Sequence, residues 1–139
     1  MRQLIMCLLT LCLTLPALAE RKQTFGTTEV HYSVFNSSFL QPATAAASGL
    51  VRSKAEGVIT VAAIDNGKPL ATQVSGQVKN LLGQLTPLTF KQIKEQNAIY
   101  YLAQFPLEDR EILIFTINVK GTDGRNNSFS FNQEVFPDE

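Results

Sequence analysis

The chain has 139 residues, of which 45% are hydrophobic and 17% charged, the size and balance of a single globular domain. Twelve basic and twelve acidic residues give a formal net charge of zero, and no basic stripe is present that could neutralise a nucleic-acid backbone. Both cysteines and both methionines lie within the first twelve residues. The rest of the chain therefore has no thiol nucleophile, no disulfide and no sulfur ligand for a metal.

Residues 1–19 have the three parts of a secretory signal peptide. Arg2 supplies a positive charge, residues 4–15 form an apolar run, and Ala17-Leu18-Ala19 places small residues at the cleavage site. The run is shorter than the ~20 residues that span a bilayer, which disfavours a membrane anchor. Exported chains without cysteines are typical of the bacterial periplasm. We therefore predict cleavage after Ala19, a periplasmic location without a membrane span, and a single domain over residues 20–139.

Beyond residue 20 the sequence alternates with period two, the pattern of half-buried β-strands. The first predicted strand covers residues 30–35, where Val30, Tyr32 and Val34 face the core. The β-branched run 58–64 is a central strand, and the Asn66-Gly67 pair after it predicts a type I′ hairpin turn. Further strands are predicted at residues 70–81, 88–95, 98–105, 113–119 and 129–135, with turns at 96–97 and 121–124.

One segment is predicted to be helical. Residues 42–48 are rich in alanine, with Pro42 suited to the first helical turn and Gly49 to the C-terminal cap. About seven strands and one short helix predict an all-β fold, an antiparallel β-sandwich of the immunoglobulin-like type. The conserved cysteine pair and tryptophan of antibody domains are missing, so the likeness concerns architecture alone. A small barrel is the alternative.

His31 is the single histidine of the chain and the side chain that titrates nearest to neutral pH. It is predicted to lie on the outward face of the first strand. A catalytic histidine needs a nucleophile and an orienting carboxylate that the fold brings to it, and nothing in the sequence shows such an arrangement. A solvent-facing or locally hydrogen-bonded histidine is therefore the favoured interpretation, with His31 kept as a candidate binding residue. We predict no catalytic residue and no metal site.

The densest acidic group of the chain consists of Glu108, Asp109 and Glu111, with Arg110 between them. Paired carboxylates can serve as acid and base in catalysis. The spacing does not match the pattern of a calcium-binding loop. A solvated loop that crosses between the two sheets after Pro106 is the simpler interpretation.

Two pairs of neighbouring residues are the candidate contact sites. Tyr100 and Tyr101 must face opposite sides of a strand, and the apolar spacing around them predicts Tyr101 inside and Tyr100 outside. An exposed tyrosine is favoured at binding surfaces. Phe39 and Leu40 lie between the first strand and the helix. They either plug one end of the sandwich or form an exposed protein-binding patch.

Four stretches, EVHYSVFNS at residues 29–37, FLQP at 39–42, GLVRSK at 49–54 and FNQEVFP at 131–137, carry a family resemblance. They resemble a family of small exported gammaproteobacterial proteins known only as a domain of unknown function. The resemblance covers nearly the whole chain after residue 19. It implies an envelope protein with an immunoglobulin-like β-sandwich, and it implies no activity.

Export, a sandwich fold and missing reactive side chains favour a non-catalytic binding or accessory module that contacts another envelope protein. The alternative is a small-ligand binder or hydrolase in which the acidic group at residues 108–111 meets His31 or a tyrosine in a concave pocket. A copper or zinc chaperone is disfavoured because one histidine provides too few ligands. No cofactor is predicted, and the sequence leaves the oligomeric state open.

Overall fold

The computed structural model describes residues 21–95, 97–122 and 124–137. Within these residues ten β-strands form two antiparallel sheets, accompanied by one α-helix, α1 (Pro42–Ser48), and one 3₁₀ turn (Ser37–Phe39). The strands are β1 (Arg21–Phe25), β2 (Thr28–Asn36), β3 (Glu56–Asp65), β4 (Lys68–Pro69), β5 (Val74–Lys79), β6 (Leu85–Leu88), β7 (Lys91–Glu95), β8 (Ala98–Pro106), β9 (Glu111–Lys120) and β10 (Asn126–Val135).

The C-terminal ends of several strands from both sheets lie at the same end of the sandwich. The first sheet has the order β1-β2-β3-β8-β7, with β4 paired to β3, and the second has the order β10-β9-β5-β6. All neighbouring strands are antiparallel. Residues 107–110 lead from β8 in the first sheet to β9 in the second, and the side chain of Asn36 donates to the carbonyl oxygen of Phe136 at 3.1 Å. Strands β2, β5, β8 and β10 therefore finish at the end where β3 and β9 begin.

The main core lies between the sheets. It is built from alternate residues along each strand, those whose side chains face the other sheet. Its centre is aromatic: the ring of Phe115 lies 5.1 Å from that of Phe105 in an edge-to-face arrangement and 5.1 Å from that of Phe131 in a stacked one. Tyr32 extends this cluster, with its ring 4.5 Å from that of Phe131. Since these rings come from both sheets, the aromatic contacts join the layers at the centre of a core that is otherwise mostly aliphatic.

A second, smaller core covers part of the outer face of the first sheet. Helix α1 begins at Pro42 and ends at Gly49, which adopts a left-handed conformation at φ 71°. Its residue Ala45, together with Leu40 before it, packs on Val58 and Leu102 of the sheet. The helix therefore shields one part of this outer face and leaves the part around His31 uncovered.

Several sequence-based expectations are confirmed. The chain is an all-β sandwich of two separate sheets, which excludes the barrel alternative. Helix α1 occupies the predicted residues 42–48. Asn66 and Gly67 both have positive φ, at 50° and 78°, as a type I′ turn requires.

The number of strands and their division between sheets differ from the expectation. Ten strands are present in the described residues rather than about seven. Of the segment predicted as one strand over 70–81, only β5 (Val74–Lys79) is a strand, and it belongs to the second sheet. The segment predicted over 88–95 includes the end of β6 and all of β7, which belong to different sheets. Strand β1 was missed because its sequence, RKQTF, is exposed and has no alternation.

The signal peptide and its cleavage point after Ala19 lie outside the described residues. The same applies to one residue in each of two predicted turns, Gln96 and Asp123. The single domain over residues 20–139 stays a prediction.

Tyr101 ties the segment that crosses between the sheets to β8. Its hydroxyl accepts a hydrogen bond from the N–H of Thr72 at 2.8 Å and donates one to the carbonyl oxygen of Thr72 at 2.9 Å. It also accepts one from the side-chain amide of Gln92 at 2.9 Å. One side chain therefore satisfies both backbone groups of a residue outside any strand.

We expect Tyr101→Phe to lower the free energy of unfolding by about 1–3 kcal/mol, because it leaves partly buried backbone groups without their partner. Urea denaturation measures the change. Tyr100→Phe is the matched control, since Tyr100 is exposed on the same strand, and its effect should stay within ~0.5 kcal/mol. Equal effects of the two substitutions would contradict this role of the Tyr101 hydroxyl.

Candidate functional site

His31 and Tyr100, two of the predicted candidates, lie together on the outer face of the first sheet. Both line a shallow concavity of about 210 Å³ that Ala62, Ile64 and Pro69 also border. His31 is partly exposed, as expected for the outward face of β2. Tyr100 is exposed and Tyr101 is buried, which confirms the predicted orientation of this pair.

The charged neighbour of His31 is Glu29, two residues away on the same face of β2. Its carboxylate lies 3.4 Å from the His31 Nε2 and 3.4 Å from the Nζ of Lys22. The hydrogen bond from Lys22, followed by that from His31, holds the pKa of the Glu29 carboxyl below its ordinary value. His31 and Tyr100 also line a second concavity of about 200 Å³, together with Ser33 and Thr60, whose hydroxyl oxygens lie 2.8 Å apart.

Phe39 and Leu40, which were predicted as a pair, differ in burial. Leu40 is 5% exposed and belongs to the core beneath α1, whereas Phe39 is 73% exposed. The backbone between them belongs to the end of the 3₁₀ turn, which points adjacent side chains in different directions. The structure therefore corrects Leu40 as a surface candidate, because its side chain is a packing residue, and leaves Phe39 on the surface.

Exposed apolar side chains gather at the end of the sandwich where β5 and β10 finish and β9 begins. Leu81 and Leu82 lie at the tip of the β5–β6 hairpin and share a groove of about 470 Å³ with Ile112. Phe136 is joined to this groove through Arg110, whose guanidinium lies 6.0 Å from the Phe136 ring centre. We call this surface the apolar end; its exposed members are Phe39, Leu81, Leu82, Leu85, Ile112 and Phe136.

The hairpin that carries Leu81 and Leu82 is fastened by the side chain of Asn80. Its Oδ1 accepts hydrogen bonds from the N–H groups of Leu82 at 3.0 Å and of Gln84 at 2.9 Å. Its Nδ2 donates to the Oε1 of Gln84 at 2.7 Å, and the two backbones are also bonded to each other. The exposed leucines are thus presented on a closed turn with satisfied backbone groups.

The acidic group lies beside this end. Glu108 and Glu111 line a small polar pocket of about 100 Å³ together with Asn80, Gln84 and Thr86. Neither His31 nor a tyrosine lines this pocket. The described structure therefore does not bring the acidic group together with His31 or a tyrosine, as the alternative function, a ligand binder or hydrolase, required. The pocket is also well below the ~300–1,000 Å³ of typical ligand sites. The predicted crossing of this loop from one sheet to the other is confirmed.

Among the described residues, no three His, Asp or Glu side chains come close enough to hold a metal ion. Within the same residues, no helix is long and apolar enough to cross a membrane.

Sequence reasoning missed most of the apolar end. Its members come from positions 39, 81–85, 112 and 136, which only the fold brings together. One local signal was available: Leu81-Leu82 directly before Gly83 places two leucines in a turn, where polar residues are usual.

Comparison with known proteins agrees with the fold. The family model described as "Domain of unknown function (DUF4426)" matches residues 22–138. The crystal structure of a DUF4426 family protein from Pseudomonas aeruginosa PAO1 is 54% identical, with a TM-score of 0.83, over 87% of this chain and 98% of that chain. A comparison with curated proteins finds no match.

Two structures of FetP from a uropathogenic Escherichia coli strain share the fold at low identity. FetP expressed in the periplasm of E. coli is 12% identical, with a TM-score of 0.61 over 87% of this chain and 96% of that chain. A copper-bound variant of FetP is 14% identical, with a TM-score of 0.59 over 87% and 92%. At these identities the likeness concerns the fold alone. The family match over residues 22–138, supported by the Pseudomonas structure, shows that the chain belongs to the DUF4426 family.

Proposed function

We propose that this protein is a non-catalytic periplasmic binding module that contacts another envelope protein through its apolar end. The observation that carries the proposal is the concentration of exposed apolar side chains there: six of the eight large hydrophobic residues that are exposed in the described structure belong to it. Exposed apolar side chains scattered singly need no explanation, whereas a contiguous group marks an interaction surface. Leu81, Leu82 and Ile112 form such a group, because they line one groove.

The chemistry of the apolar end suits a protein partner. Leu82 is 85% exposed and Ile112 and Leu81 lie around the same groove, so they form an apolar centre. Arg110 and Glu134 border it with an ion pair of 3.2 Å. An apolar centre with a charged border is the usual arrangement of a protein–protein interface.

Export to the periplasm is part of the same proposal. It is supported by the charged start, apolar run and small-residue cleavage site of residues 1–19. FetP, which has a similar fold, was produced in the periplasm. Fractionation of cells that express the full chain tests this part: the protein should be released with the periplasmic contents and should begin at Glu20.

Photo-crosslinking in living cells tests the contact itself. A photoreactive amino acid placed at Leu82 or at Ile112 should give the same covalent adduct with one envelope protein. Gln77 is the matched control, because it is exposed on β5 of the same sheet but does not line the groove that Leu82 and Ile112 share. We expect no adduct from position 77.

A substitution makes the test specific. Leu82→Asp should reduce the adduct formed from position 112 by about tenfold or more, the loss expected when ~1.4 kcal/mol of contact energy is removed. Its free energy of unfolding should change by no more than ~0.5 kcal/mol, because Leu82 is exposed. Adducts that are as frequent from position 77, or that survive Leu82→Asp unchanged, would overturn the proposal.

The alternative function, a ligand binder or hydrolase at the acidic loop, has no observation in its favour. The pocket beside Glu108 and Glu111 is small and holds neither His31 nor a tyrosine.

A further inference from the structure

The groove of the apolar end adjoins the small pocket that Glu108 and Glu111 line, the acidic pocket. Asn80 and Glu111 line both concavities. Glu111 and Ile112 are consecutive residues at the start of β9, so their side chains face opposite sides of the sheet. An apolar contact and a carboxylate therefore lie one residue apart along this strand.

The described residues provide no counter-charge for the carboxylates of the acidic pocket. In this part of the chain, each ion pair has Glu29 or Glu134 as its acidic member. Arg110, which lies between Glu108 and Glu111 in the sequence, is the partner of Glu134 at 3.2 Å. The negative charge of the acidic pocket is therefore available to a cation from outside the chain.

Other charges near the two concavities do not offset this negative charge. The charged side chains that line them are three glutamates and one arginine. Lys79 ends β5 beside the pocket residue Val78, but adjacent side chains of a strand face opposite sides, so Lys79 does not line the pocket. Asp109 adds a further exposed carboxylate on the loop. The two concavities therefore favour a positively charged partner surface.

The acidic pocket has the size of the end of one side chain. Its volume is about 100 Å³, and the buried Val78 and Leu113 line it besides the two carboxylates. A water molecule takes ~30 Å³ in the liquid, so the pocket has room for roughly three groups of that size. Lysine and arginine combine an apolar stem with a cationic head, which matches a pocket that has both apolar walls and carboxylates.

We propose that the partner of the apolar end is a protein segment that carries a lysine or arginine next to an apolar residue. The apolar residue lies in the groove of Leu82 and Ile112, and the cationic head enters the acidic pocket. Charge complementarity selects this occupant over a lipid surface, because membrane-binding surfaces carry lysine and arginine around their leucines, whereas these concavities carry mainly glutamate. The inference rests on the proposed function, since it names the chemistry of the partner at the same surface.

Fluorescence anisotropy tests the charge preference with two labelled peptides of equal length, one made of leucine and lysine and the other of leucine and glutamate. The leucine–lysine peptide should bind at least ~tenfold more tightly, since like charges across an interface oppose binding. A peptide of serine and lysine should bind more weakly than the leucine–lysine peptide, because the groove is apolar. Equal affinities for the leucine–lysine and leucine–glutamate peptides would overturn the proposal.

Charge reversal tests whether the peptide binds at this site. Glu111→Lys should lower the affinity for the leucine–lysine peptide by about tenfold, and Glu108→Lys, on the exposed loop, should act in the same direction. Glu95→Lys is the matched control, because it makes the same change in net charge at an exposed position of β7 in the other sheet. Equal losses from Glu111→Lys and Glu95→Lys would mean that the peptide responds to net charge alone, which contradicts the proposal.

The photo-crosslink in cells separates this proposal from the proposed function. The adduct formed from position 112 should decrease with Glu111→Lys and persist with Glu95→Lys. An adduct that requires Leu82 but is indifferent to Glu111→Lys would overturn only the basic segment. Without any adduct the proposed function fails, and the peptide affinities still decide whether the site prefers a basic segment.

Vesicles of phosphatidylethanolamine and phosphatidylglycerol test the lipid surface directly. The protein should stay in the supernatant when these vesicles are sedimented. Cosedimentation that Leu82→Asp abolishes would identify a lipid surface as the occupant and would overturn the proposal.

Discussion

Replacing Phe115 with alanine is expected to lower the free energy of unfolding by about 3–5 kcal/mol. The Phe115 side chain is fully buried, and its ring contacts those of Phe105 in the first sheet and Phe131 in its own. Truncation removes the apolar surface that joins the layers and leaves a cavity that the β-strands cannot collapse into. A domain has only about 5–15 kcal/mol of stability, so the midpoint of urea denaturation should fall markedly.

Phe39→Ala is the matched control for this substitution. It removes the same atoms from a side chain that is mostly exposed, so its effect on stability should stay within ~0.5 kcal/mol. A loss of stability as large as that of Phe115→Ala would mean that Phe39 packs against the fold, and it would remove Phe39 from the apolar end.

Gly76→Ala is expected to cost about 1–3 kcal/mol of stability through overpacking. Gly76 lies on β5 between two neighbouring strands, opposite Ile117 on one side and Leu88 on the other. A Cβ atom at this position would lie 2.6 Å from the carbonyl oxygen of Thr116 and 2.9 Å from a side-chain carbon of Ile117. The carbonyl belongs to the β9 backbone and cannot move without disturbing the sheet.

Ser75→Ala, next to it on the same strand, provides the control for Gly76→Ala. The Ser75 side chain points to solvent, so thermal unfolding should show little change for it and a clear decrease for Gly76→Ala. In the unfolded chain, Gly76→Ala by itself favours folding by about 0.4–1 kcal/mol. An unchanged or raised melting temperature would show that β5 shifts to accommodate the methyl group.

Features that depend on neighbours in the sequence could be predicted. Pro42 and Gly49 delimit α1 because each has a backbone preference suited to its end of a helix. Asn66 and Gly67 form the turn after β3 because both residue types adopt positive φ readily. Period-two alternation separated buried Tyr101 from exposed Tyr100, since adjacent side chains on a strand must face opposite sides.

The assignment of strands to sheets could not be predicted in this way. β5 and β6 have the alternation of ordinary strands, yet β5 pairs with β9, more than 30 residues further along the chain. Alternation predicts which residues face a core, but it does not predict which strand lies next to it in the sheet. This is why the segments 70–81 and 88–95 were predicted as continuous.

The candidate site was recovered only in part for a related reason. Phe39, Tyr100 and His31 were single residues chosen for their chemistry, and the structure joins His31 with Tyr100 while it buries Leu40. The apolar end depends on strand ends that meet in space. Leu81-Leu82 in a turn was its one local signal, and Ile112 has none.

The fastening of the β5–β6 hairpin by Asn80 has a consequence for how tightly the leucines can bind. Each loop residue or side chain that must be ordered on association reduces the affinity, by about 0.5–1.5 kcal/mol for a flexible side chain. Because Asn80 already bonds the backbone of Leu82 and Gln84 in the free protein, this entropy is lost during folding and not during binding. In the proposed contact, leucines on so constrained a turn would bind more tightly than the same leucines on a mobile loop.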